Sequence, residues 1–272
     1  MRPRCDYFEC EYVNKLLREI SLKDSNIISV LNKIFINCFK EYLDKRSGCV
    51  DRYISLYSQY ITELLYRELR CDQIKDLLNR ASEYVRNIVN YGKLLNVNIV
   101  VLRLETKTRL TIHTKDPMIP IEISLSWDPY LNVPYIPSTS IKGIVRDYFE
   151  ESGVKLGNYD SRKLLGDLDN VGLVIFHDAY PVNCSNTLIE PDVLTPHYSE
   201  VREEISEIQV NPVPIVFPTI ARGVVFNLPI YIRRDFDSRF LKDLADKIME
   251  ALRRGVGART SVGYGFVEVS LS

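Results

Sequence analysis

The chain has 272 residues, of which 46% are hydrophobic and 26% are charged, and its formal net charge is −1. These fractions are ordinary for a globular protein of one large or two small domains, and they exclude a disordered or collagen-like chain. Residues 1–100 contain 16 Lys and Arg against 13 Asp and Glu, and residues 101–272 contain 19 against 23. Neither part is a basic block, so any surface for a polyanion must be a local patch.

The sequence lacks the features of an exported or membrane-inserted protein. It has no uncharged apolar run of about 18 residues, which a membrane-spanning helix requires. The first residues, MRPRCDYFECEYVNK, are charged where a secretory signal needs an apolar stretch. We therefore expect a cytoplasmic protein with no membrane partner.

The cysteines and histidines do not have the spacing of a metal site. There is no CxxC pair, and the histidines His113, His177 and His197 are isolated, so we predict no metal ligand set. In a reducing compartment cysteines are usually free thiols. We accordingly expect thiols rather than disulfides at the six cysteines, Cys5, Cys10, Cys38, Cys49, Cys71 and Cys184.

Residues 10–91 are predicted to be helical, because apolar residues recur there with the spacing of one helix face. Gly48 separates two such helices, and Gly92 marks the end of the region. We expect residues 1–95 to form an N-terminal helical region packed on the core. The predicted core positions are Ile27, Val30, Leu31, Ile34 and Phe35 in one helix, and Tyr53, Ile54, Tyr57, Ile61, Leu64 and Leu65 in the next.

From Val97 onward the pattern changes to alternating strands and helices. The β-branched run VNIVVLRLETKTRLTIHT predicts one long or bulged strand, and SIKGIVRDYFEE predicts a helix that Ser138, Thr139 or Ser140 caps. Strands are predicted at 172–180 and 223–233, with Pro229 placing the second near an edge or a bulge. A helix after Asp237 or Ser238 and a strand at 265–271 complete the chain.

This order of elements predicts an α+β fold. Strand, helix, strand, strand, helix, strand is the ferredoxin-like β-α-β-β-α-β arrangement, which we assign to residues 96–272. Two long insertions interrupt it, at about 114–137 and 181–221. Irregular segments of that length are commonly binding elements or disordered.

The glycine-rich segment RRGVGARTSVGYGF, residues 253–266, is the first candidate binding element. Its glycines allow positive φ and close backbone approach, and its three arginines suit a polyanion backbone. It is not a dinucleotide fingerprint, because it follows a helix and precedes a strand. A plain glycine-rich connection with arginines paired elsewhere explains the spacing equally well.

The second candidate is PYIPSTSIKGIVRDYF, residues 134–149. Exposed amides at a helix N-terminus, three hydroxyl groups, and Lys142 and Arg146 on one helix face together suit a phosphate group. An ordinary capped helix with solvated cations is the alternative reading.

Few residues suit nucleophilic or acid–base catalysis. His177 lies inside an apolar strand and is expected to be structural, whereas His197 in the irregular TPHY segment is the histidine best placed to contact a ligand. Loop aspartates serve some ribonucleases, but isolated ones are common turn formers. Those present here are Asp116, Asp128 and Asp192.

Several segments together resemble one family. PYIPSTSIKGIVRDYF is similar to the "IPGSSLKGALR" block of the RAMP superfamily of CRISPR effector subunits, and GVGARTSVGYGF is similar to its C-terminal glycine-rich loop. LLGD with GLVIFHDAYP resembles a third RAMP block. DVLTPHYSE, followed by NPVPIVFPTIARGVVFNLPI, resembles the family of the sixth protein of the Cmr (type III-B) complex.

The resemblance implies a non-catalytic guide-RNA-binding subunit that caps the 3′ end of the backbone of a Cmr ribonucleoprotein. Its implied partners are the guide RNA and paired target RNA, the adjacent backbone subunit and the other capping subunit, with no cofactor and no small-molecule substrate. Ser138 stands where the family often has glycine. The predicted RNA-binding residues are Ser138, Thr139, Ser140, Lys142, Arg146, His197, Tyr198, Arg254, Gly255, Gly257, Arg259, Thr260 and Gly263.

Three other functions remain open from the sequence. A metal-independent RAMP endoribonuclease that processes CRISPR transcripts would use a histidine such as His197. A repeated backbone subunit that cleaves target RNA would use a loop aspartate and a metal. A protein scaffold would bury both candidate segments against its partners.

Overall fold

The structure is a computed structural model that describes residues 7–112, 114–195, 214–233 and 235–272. Its N-terminal part is helical, and its C-terminal part combines helices with antiparallel strands. The helices are α1 (Glu11–Glu19), α2 (Ile27–Lys45), α3 (Tyr53–Glu68), α4 (Lys75–Leu94), α5 (Ser138–Glu151), α6 (Ser161–Leu165) and α7 (Ser238–Arg253), with short 3₁₀ turns at Ser47–Arg52 and Thr260–Val262. The strands are β1 (Asn98–Thr106), β2 (Trp127–Asp128), β3 (Val133–Pro134), β4 (Val174–Phe176), β5 (Tyr180–Cys184), β6 (Ile189–Leu194), β7 (Ile215–Ile220), β8 (Val224–Ile232) and β9 (Val267–Leu271).

The N-terminal helices form where the apolar periodicity predicts them. Asn26 caps α2 by accepting a 2.9 Å hydrogen bond from the Ser29 amide. Tyr53 and Tyr57 are fully buried core residues, and the Tyr57 hydroxyl donates to the carbonyl of Leu31 at 2.7 Å. Ile54 is a wrong core prediction, because its side chain is 49% exposed.

The main sheet has the strand order β4-β8-β1-β9, with β5 also paired to β8, and all of its pairs are antiparallel. The fold is therefore α+β, as predicted. β8 is an inner strand, so of the two positions predicted for it, an edge or a bulge, the edge is wrong. Pro229 nevertheless lies opposite an irregular segment between β4 and β5, where the His177 amide donates to the Pro229 carbonyl at 3.1 Å. Because the N–H and C=O of a strand residue point to the same side, the donor that proline lacks would face this irregularity.

The strand predicted from Val97 is shorter than its sequence pattern. β1 ends at Thr106, and the amide of Lys107 then donates to the carbonyl of Phe266. Two isolated bridges follow, in which Leu110 pairs with Ile220 and Thr111 pairs with Ala258. The alternating pattern after Thr106 thus encodes contacts to two other segments rather than one continuous strand.

The helical region packs directly against the sheet. α4 contacts β5, β8 and β1, and the Tyr231 hydroxyl of β8 donates to the carbonyl of Ile88 in α4. Gly92 lies inside α4, where a Cβ atom would be 2.8 Å from both Ile99 Cδ1 and Tyr231 Cε1. Its absent side chain therefore permits the close approach of helix and sheet, and Gly92 does not end the helix as predicted.

Disulfides add covalent links, which corrects the prediction of free thiols. Cys10 is bonded to Cys38, and Cys71 is bonded to Cys184 across 113 residues of sequence. The second bond joins the segment between α3 and α4 to β5. The fold brings the Cα atoms of Cys71 and Cys184 to 5.7 Å, which no sequence spacing reveals.

The segment predicted as the first insertion packs on α2. The Asn132 side chain accepts a 2.9 Å hydrogen bond from the Ile27 amide, and Asn32 donates to the carbonyl of Met118 at 2.7 Å. The segment predicted as the second insertion contains β6 and β7, which pair with each other and contact α3. Across the described ranges, no helix combines the length and apolar content needed to cross a membrane.

Candidate functional site

The glycine-rich loop lies along the segment that follows β1. The Ala258 amide donates to the carbonyl of Thr111 at 2.7 Å, and the Gly265 amide donates to the carbonyl of Arg109 at 2.8 Å. The loop therefore shares a hydrogen-bonded surface with residues 107–111. This contact could not be predicted from the sequence, since the two segments are about 150 residues apart.

The glycines of the loop differ in what approaches them. At Gly257, with φ of +86°, a Cβ atom would lie 2.3 Å from the Thr111 carbonyl oxygen. At Gly255 a Cβ atom would lie 2.8 Å from Cγ2 of Thr260. Both glycines are thus required by the packing of the loop itself. Gly263, with φ of +96°, has open space where a Cβ would be, so its backbone is accessible to a ligand.

A depression of about 400 Å³ lies beside Gly263. It brings together cations that the sequence analysis missed, because they come from separate strands and turns. Its other lining residues are Lys107, Thr108, Arg109, Asp192, Arg222 and Tyr264. The spacing of Lys107 and Arg109, two residues apart after β1, was a sequence signal for two of these cations. No sequence pattern indicated that Arg222 would join them.

Carboxylates hold the arginines of this depression in place. Arg109 Nε lies 3.1 Å from Glu190 Oε2, and its Nη1 lies 3.1 Å from Asp192 Oδ2. Arg222 Nε lies 3.7 Å from Glu190 Oε2. The Glu190 and Asp192 side chains are 16% exposed, whereas Arg109 is 38% and Arg222 is 63% exposed. The two carboxylates are therefore less accessible to solvent than the two guanidinium groups, which face solvent.

Tyr264 connects the loop to β6. Its hydroxyl donates a 2.6 Å hydrogen bond to Asp192 Oδ2, and the Arg259 guanidinium lies 5.3 Å from the centre of its ring. Burial raises the pKa of Asp192, but the hydrogen bonds from Tyr264 and Val193 and the charge of Arg109 outweigh it and lower the pKa overall. Asp192 is thus an anionic anchor for the loop.

Arg254 lies at the other end of the loop, beside the C-terminal end of α5. Its guanidinium is paired with the Glu151 carboxylate and lies 4.5 Å from the centre of the Tyr148 ring. Arg254 is therefore beside neither Gly263 nor the start of α5. Thr260 begins the 3₁₀ turn and is half-buried.

The N-terminus of α5 is capped differently from the prediction. Pro137 occupies the N-cap position, and no side chain of Ser138, Thr139 or Ser140 makes the capping hydrogen bond. Instead the Ser138 amide donates to Asp178 Oδ1 at 2.6 Å. A carboxylate is the stronger acceptor for a helix N-terminus, and it occupies an amide that a phosphate would otherwise use.

Lys142 and Arg146 line a second depression, of about 610 Å³, with residues 165–172. Arg146 Nη2 donates to the Gly166 carbonyl at 2.8 Å, so this cation supports the turn beside it. The two candidate segments thus line separate depressions. A run of backbone hydrogen bonds nevertheless connects them, from Ala258 to Thr111, from Ser126 to Ile112 and from Tyr135 to Ser126.

The candidate catalytic side chains either contact their own turns and strands or lie outside the described part. His113, His197 and Tyr198 lie outside the described residues. His177 has a buried Nε2 atom, and burial lowers its pKa. Asp116 and Asp128 accept backbone hydrogen bonds from Met118 and Tyr130 in their own turns. Among the residues that the structure describes, no group of three or more His, Cys, Asp or Glu is arranged to hold a metal ion.

Comparison with known proteins gives four similarities. The sequence pattern of the RAMP superfamily matches residues 103–268. The chain is 36% identical to the CRISPR system CMR subunit Cmr6 of Saccharolobus solfataricus, and the match covers 79% of this chain and 72% of the relative. It is 24% identical to the CRISPR system Cmr subunit Cmr6 of Pyrococcus furiosus, and that match covers 75% of this chain and 78% of the relative. It superposes with a TM-score of 0.72 and 30% identity on a chain of the cryo-EM structure of type III-B Cmr-β bound to cognate target RNA, with 90% of each chain covered.

Proposed function

The chain belongs to the RAMP superfamily and, within it, to the Cmr6 subunits of CRISPR systems, and from this membership we propose that it binds guide RNA without cleaving it. In the proposal it caps the 3′ end of the backbone of a type III-B (Cmr) antiviral ribonucleoprotein. Its partners are the guide RNA with its paired target, the adjacent backbone subunit and the other capping subunit. The similarity to a chain of a target-RNA-bound Cmr complex supports this assignment.

One observation carries the RNA-binding part of the proposal: the depression beside Gly263 presents Arg109 and Arg222 toward solvent over less exposed carboxylates, and Lys107 lies beside them, paired with Glu105 and the exposed Glu268. A ribose-phosphate strand is recognised mainly through its phosphates, which basic side chains and free backbone amides bind without regard to sequence. The open backbone at Gly263 allows a strand to approach closely. Arg259 lies next to this surface, over the Tyr264 ring.

The first turns of α5 are proposed as a second contact. Lys142 is half-buried and lines the depression below the start of the helix, while Thr139 is exposed. Because Asp178 accepts from the Ser138 amide, a phosphate there would meet a carboxylate. We therefore expect Lys142 and the hydroxyl groups, rather than the helix amides, to make this contact.

The order of the main sheet supports the ferredoxin-like arrangement for residues 96–272. In that arrangement the third strand lies between the first and the second, and the fourth flanks the first. Here β1 is the first strand, β4 with β5 the second, β8 the third and β9 the fourth. β8 lies between β1 and the pair of β4 and β5, and β9 flanks β1. α5 and α7 follow the first and third strands and pack on each other.

The non-catalytic part of the proposal is supported by the roles of the described acidic groups. Asp192 is held by Arg109 and Tyr264, and Asp128 accepts a 2.8 Å hydrogen bond from the Tyr180 hydroxyl. Carboxylates engaged in this way are structural anchors. Neither the transcript-processing nuclease nor the repeated target-cleaving subunit is favoured by a described contact.

The test is to purify the tagged chain from its native host under mild conditions. We expect it to copurify, in a single copy per particle, with other protein subunits and a short RNA of uniform type. A monomer without RNA would refute the proposal. The purified chain incubated with repeat-containing RNA, with Mg²⁺ or with EDTA, should leave the RNA intact. Discrete cleavage that is lost in His197→Ala would favour the nuclease instead.

A further inference from the structure

Asp192 is a carboxylate in the depression that the proposed function assigns to an anionic strand. It lines the depression beside Gly263 together with Arg109 and Arg222. A phosphate group is attracted by the two arginines and repelled by this carboxylate. The anchoring of the glycine-rich loop accounts for one oxygen of Asp192, and the other oxygen has no such role.

The two oxygens of Asp192 bind different groups. Oδ2 accepts a 2.6 Å hydrogen bond from the Tyr264 hydroxyl and lies 3.1 Å from Arg109 Nη1. Oδ1 accepts a 2.8 Å hydrogen bond from the Val193 amide. An ionised carboxylate can accept about four hydrogen bonds. Among the contacts between described residues, Oδ1 therefore keeps the capacity to accept from a further donor.

This oxygen needs a ligand that donates a hydrogen bond. The Asp192 side chain is 16% exposed, so part of it is accessible from the depression. Burial raises the pKa of Asp192, but the hydrogen bonds that it accepts and the charge of Arg109 lower it overall, so the carboxylate is ionised at neutral pH. An ionised carboxylate accepts hydrogen bonds and cannot donate them. In a ribose-phosphate backbone the 2′-hydroxyl is the donor group, because the phosphate and ether oxygens only accept.

The charges around Asp192 alternate in sign. Arg222 Nε lies 3.7 Å from Glu190 Oε2, Arg109 Nε lies 3.1 Å from the same oxygen, and Arg109 Nη1 lies 3.1 Å from Asp192 Oδ2. The ion pair of Arg222 uses its Nε, so its terminal nitrogens can bind a phosphate. In RNA the carbon that carries the 2′-hydroxyl adjoins the carbon that carries the 3′ phosphate. A nucleotide whose phosphate binds Arg222 therefore brings a 2′-hydroxyl into the same depression.

We infer that Asp192 makes this depression selective for ribose over deoxyribose, because its Oδ1 atom accepts a hydrogen bond from the 2′-hydroxyl of a nucleotide whose phosphate lies at Arg222. This inference rests on the proposed function, since it presupposes a nucleic-acid strand in the depression, and it names the sugar as the group that is recognised. Phosphate contacts alone bind RNA and DNA alike. A strand that lacks the 2′-hydroxyl leaves the partly buried Oδ1 atom without its donor, which lowers the affinity.

Guides with a single 2′-fluoro nucleotide test the inference. Fluorine preserves the sugar pucker of ribose but cannot donate a hydrogen bond. Particles are assembled from the full chain, the other subunits and an equimolar mixture of an all-ribose guide and a guide with one 2′-fluoro nucleotide. The substitution is moved one position at a time along the 3′ half, and the retained guides are quantified by mass spectrometry. At one position the wild-type particle should prefer the all-ribose guide about tenfold, as expected for a hydrogen bond to a charged group.

Variants of Asp192 assign this preference to its carboxylate, because other subunits also contact the guide. Asp192→Ala should abolish the preference, and Tyr264→Phe, which removes a bond to Oδ2 and leaves Oδ1 in place, should retain it. If the alanine variant does not fold, Asp192→Asn replaces it. Its amide oxygen can still accept from Tyr264 and Arg109, which places an N–H donor at the position of Oδ1, so the preference should fall. An unchanged preference in the Asp192 variant, an equal loss in Tyr264→Phe, or no preference in the wild type overturns the inference.

Arg222→Ala separates this inference from the proposed function. It should lower the retention of both guides equally, because both carry the phosphate. If the wild-type particle retains no guide, or Arg222→Ala changes the retention of neither guide, the RNA-binding proposal itself fails. If Arg222→Ala lowers retention while Asp192→Ala leaves the preference for ribose unchanged, the proposed function stands and the inference fails.

Discussion

The hydroxyl of Tyr264 and the carboxylate of Asp192 are joined by a 2.6 Å hydrogen bond that ties the glycine-rich loop to β6. Tyr264→Phe removes this bond and leaves the ring in place. Because hydrogen bonds to charged groups contribute more than neutral ones, we expect a loss of about 1–2 kcal/mol in the free energy of unfolding. Urea denaturation measures it, with Tyr130→Phe, an exposed tyrosine, as the control. An equal effect of both substitutions would show that the bond contributes nothing.

The same carboxylate should make stability depend on pH. The pKa of Asp192 is lowered in the folded protein from its ordinary value of 3.8. A lowered folded pKa gives stability that is present above the unfolded pKa and is lost as the pH falls through the folded value. The stability difference between wild type and Asp192→Asn should therefore shrink as the pH is lowered from about 6 to about 3. A difference that stays constant over this range would contradict the assignment of Asp192 as an anionic anchor.

The disulfide between Cys71 and Cys184 should contribute more than the one between Cys10 and Cys38. The bonds span 113 and 28 residues of sequence. Under the chain-entropy relation the first stabilises by roughly 5 kcal/mol and the second by roughly 3.5 kcal/mol. Denaturant unfolding of the two double-alanine variants measures the order of these effects. A larger loss from the Cys10 and Cys38 pair would contradict the entropic account.

Three glycine-to-alanine substitutions should differ in sign and size. Gly265→Ala places a Cβ 1.9 Å from the Val256 carbonyl oxygen at φ of +69°, so a loss of more than about 3 kcal/mol is expected. Gly263→Ala has open space at a positive φ, and a loss of about 1–2 kcal/mol is expected. Gly143→Ala, in the middle of α5 with open space, should stabilise by about 0.5–1 kcal/mol. Thermal unfolding of the three variants gives the ranking, and any other ranking contradicts the described backbone.

Arginines beside the Gly263 depression should affect guide-RNA retention. Arg222→Ala and Arg259→Ala each remove a cation near the proposed phosphate path. We expect RNA to leave the assembled particle at lower salt, with the salt dependence of binding reduced by about one unit per arginine. Arg239→Ala and Lys242→Ala change two exposed cations early in α7 and serve as charge-matched controls. RNA release at the same salt concentration in both sets would remove this surface from the proposal.

Local patterns predicted most of the secondary structure. The apolar periodicity of α2 and α3, the cap at Asp237 and the run of apolar residues in β8 depend on residues within a few positions of one another, so they can be read directly. The same reading was wrong at Ile54, which has the spacing of a core residue but faces solvent. Periodicity identifies the apolar face of a helix, but it does not show which residues of that face the neighbouring elements cover.

The sequence alone determined the family, the positions of the main helices and strands and the glycine-rich loop, because these are encoded in short contiguous blocks. The tertiary structure decided which side chains meet. It paired Cys71 with Cys184, gave α5 its cap from Asp178, and gathered Lys107, Arg109 and Arg222 beside Gly263. These contacts join segments about 40 to 150 residues apart, and they form only because the whole core packs in one arrangement. The spacing of residues within one segment does not show which distant segment that segment will contact.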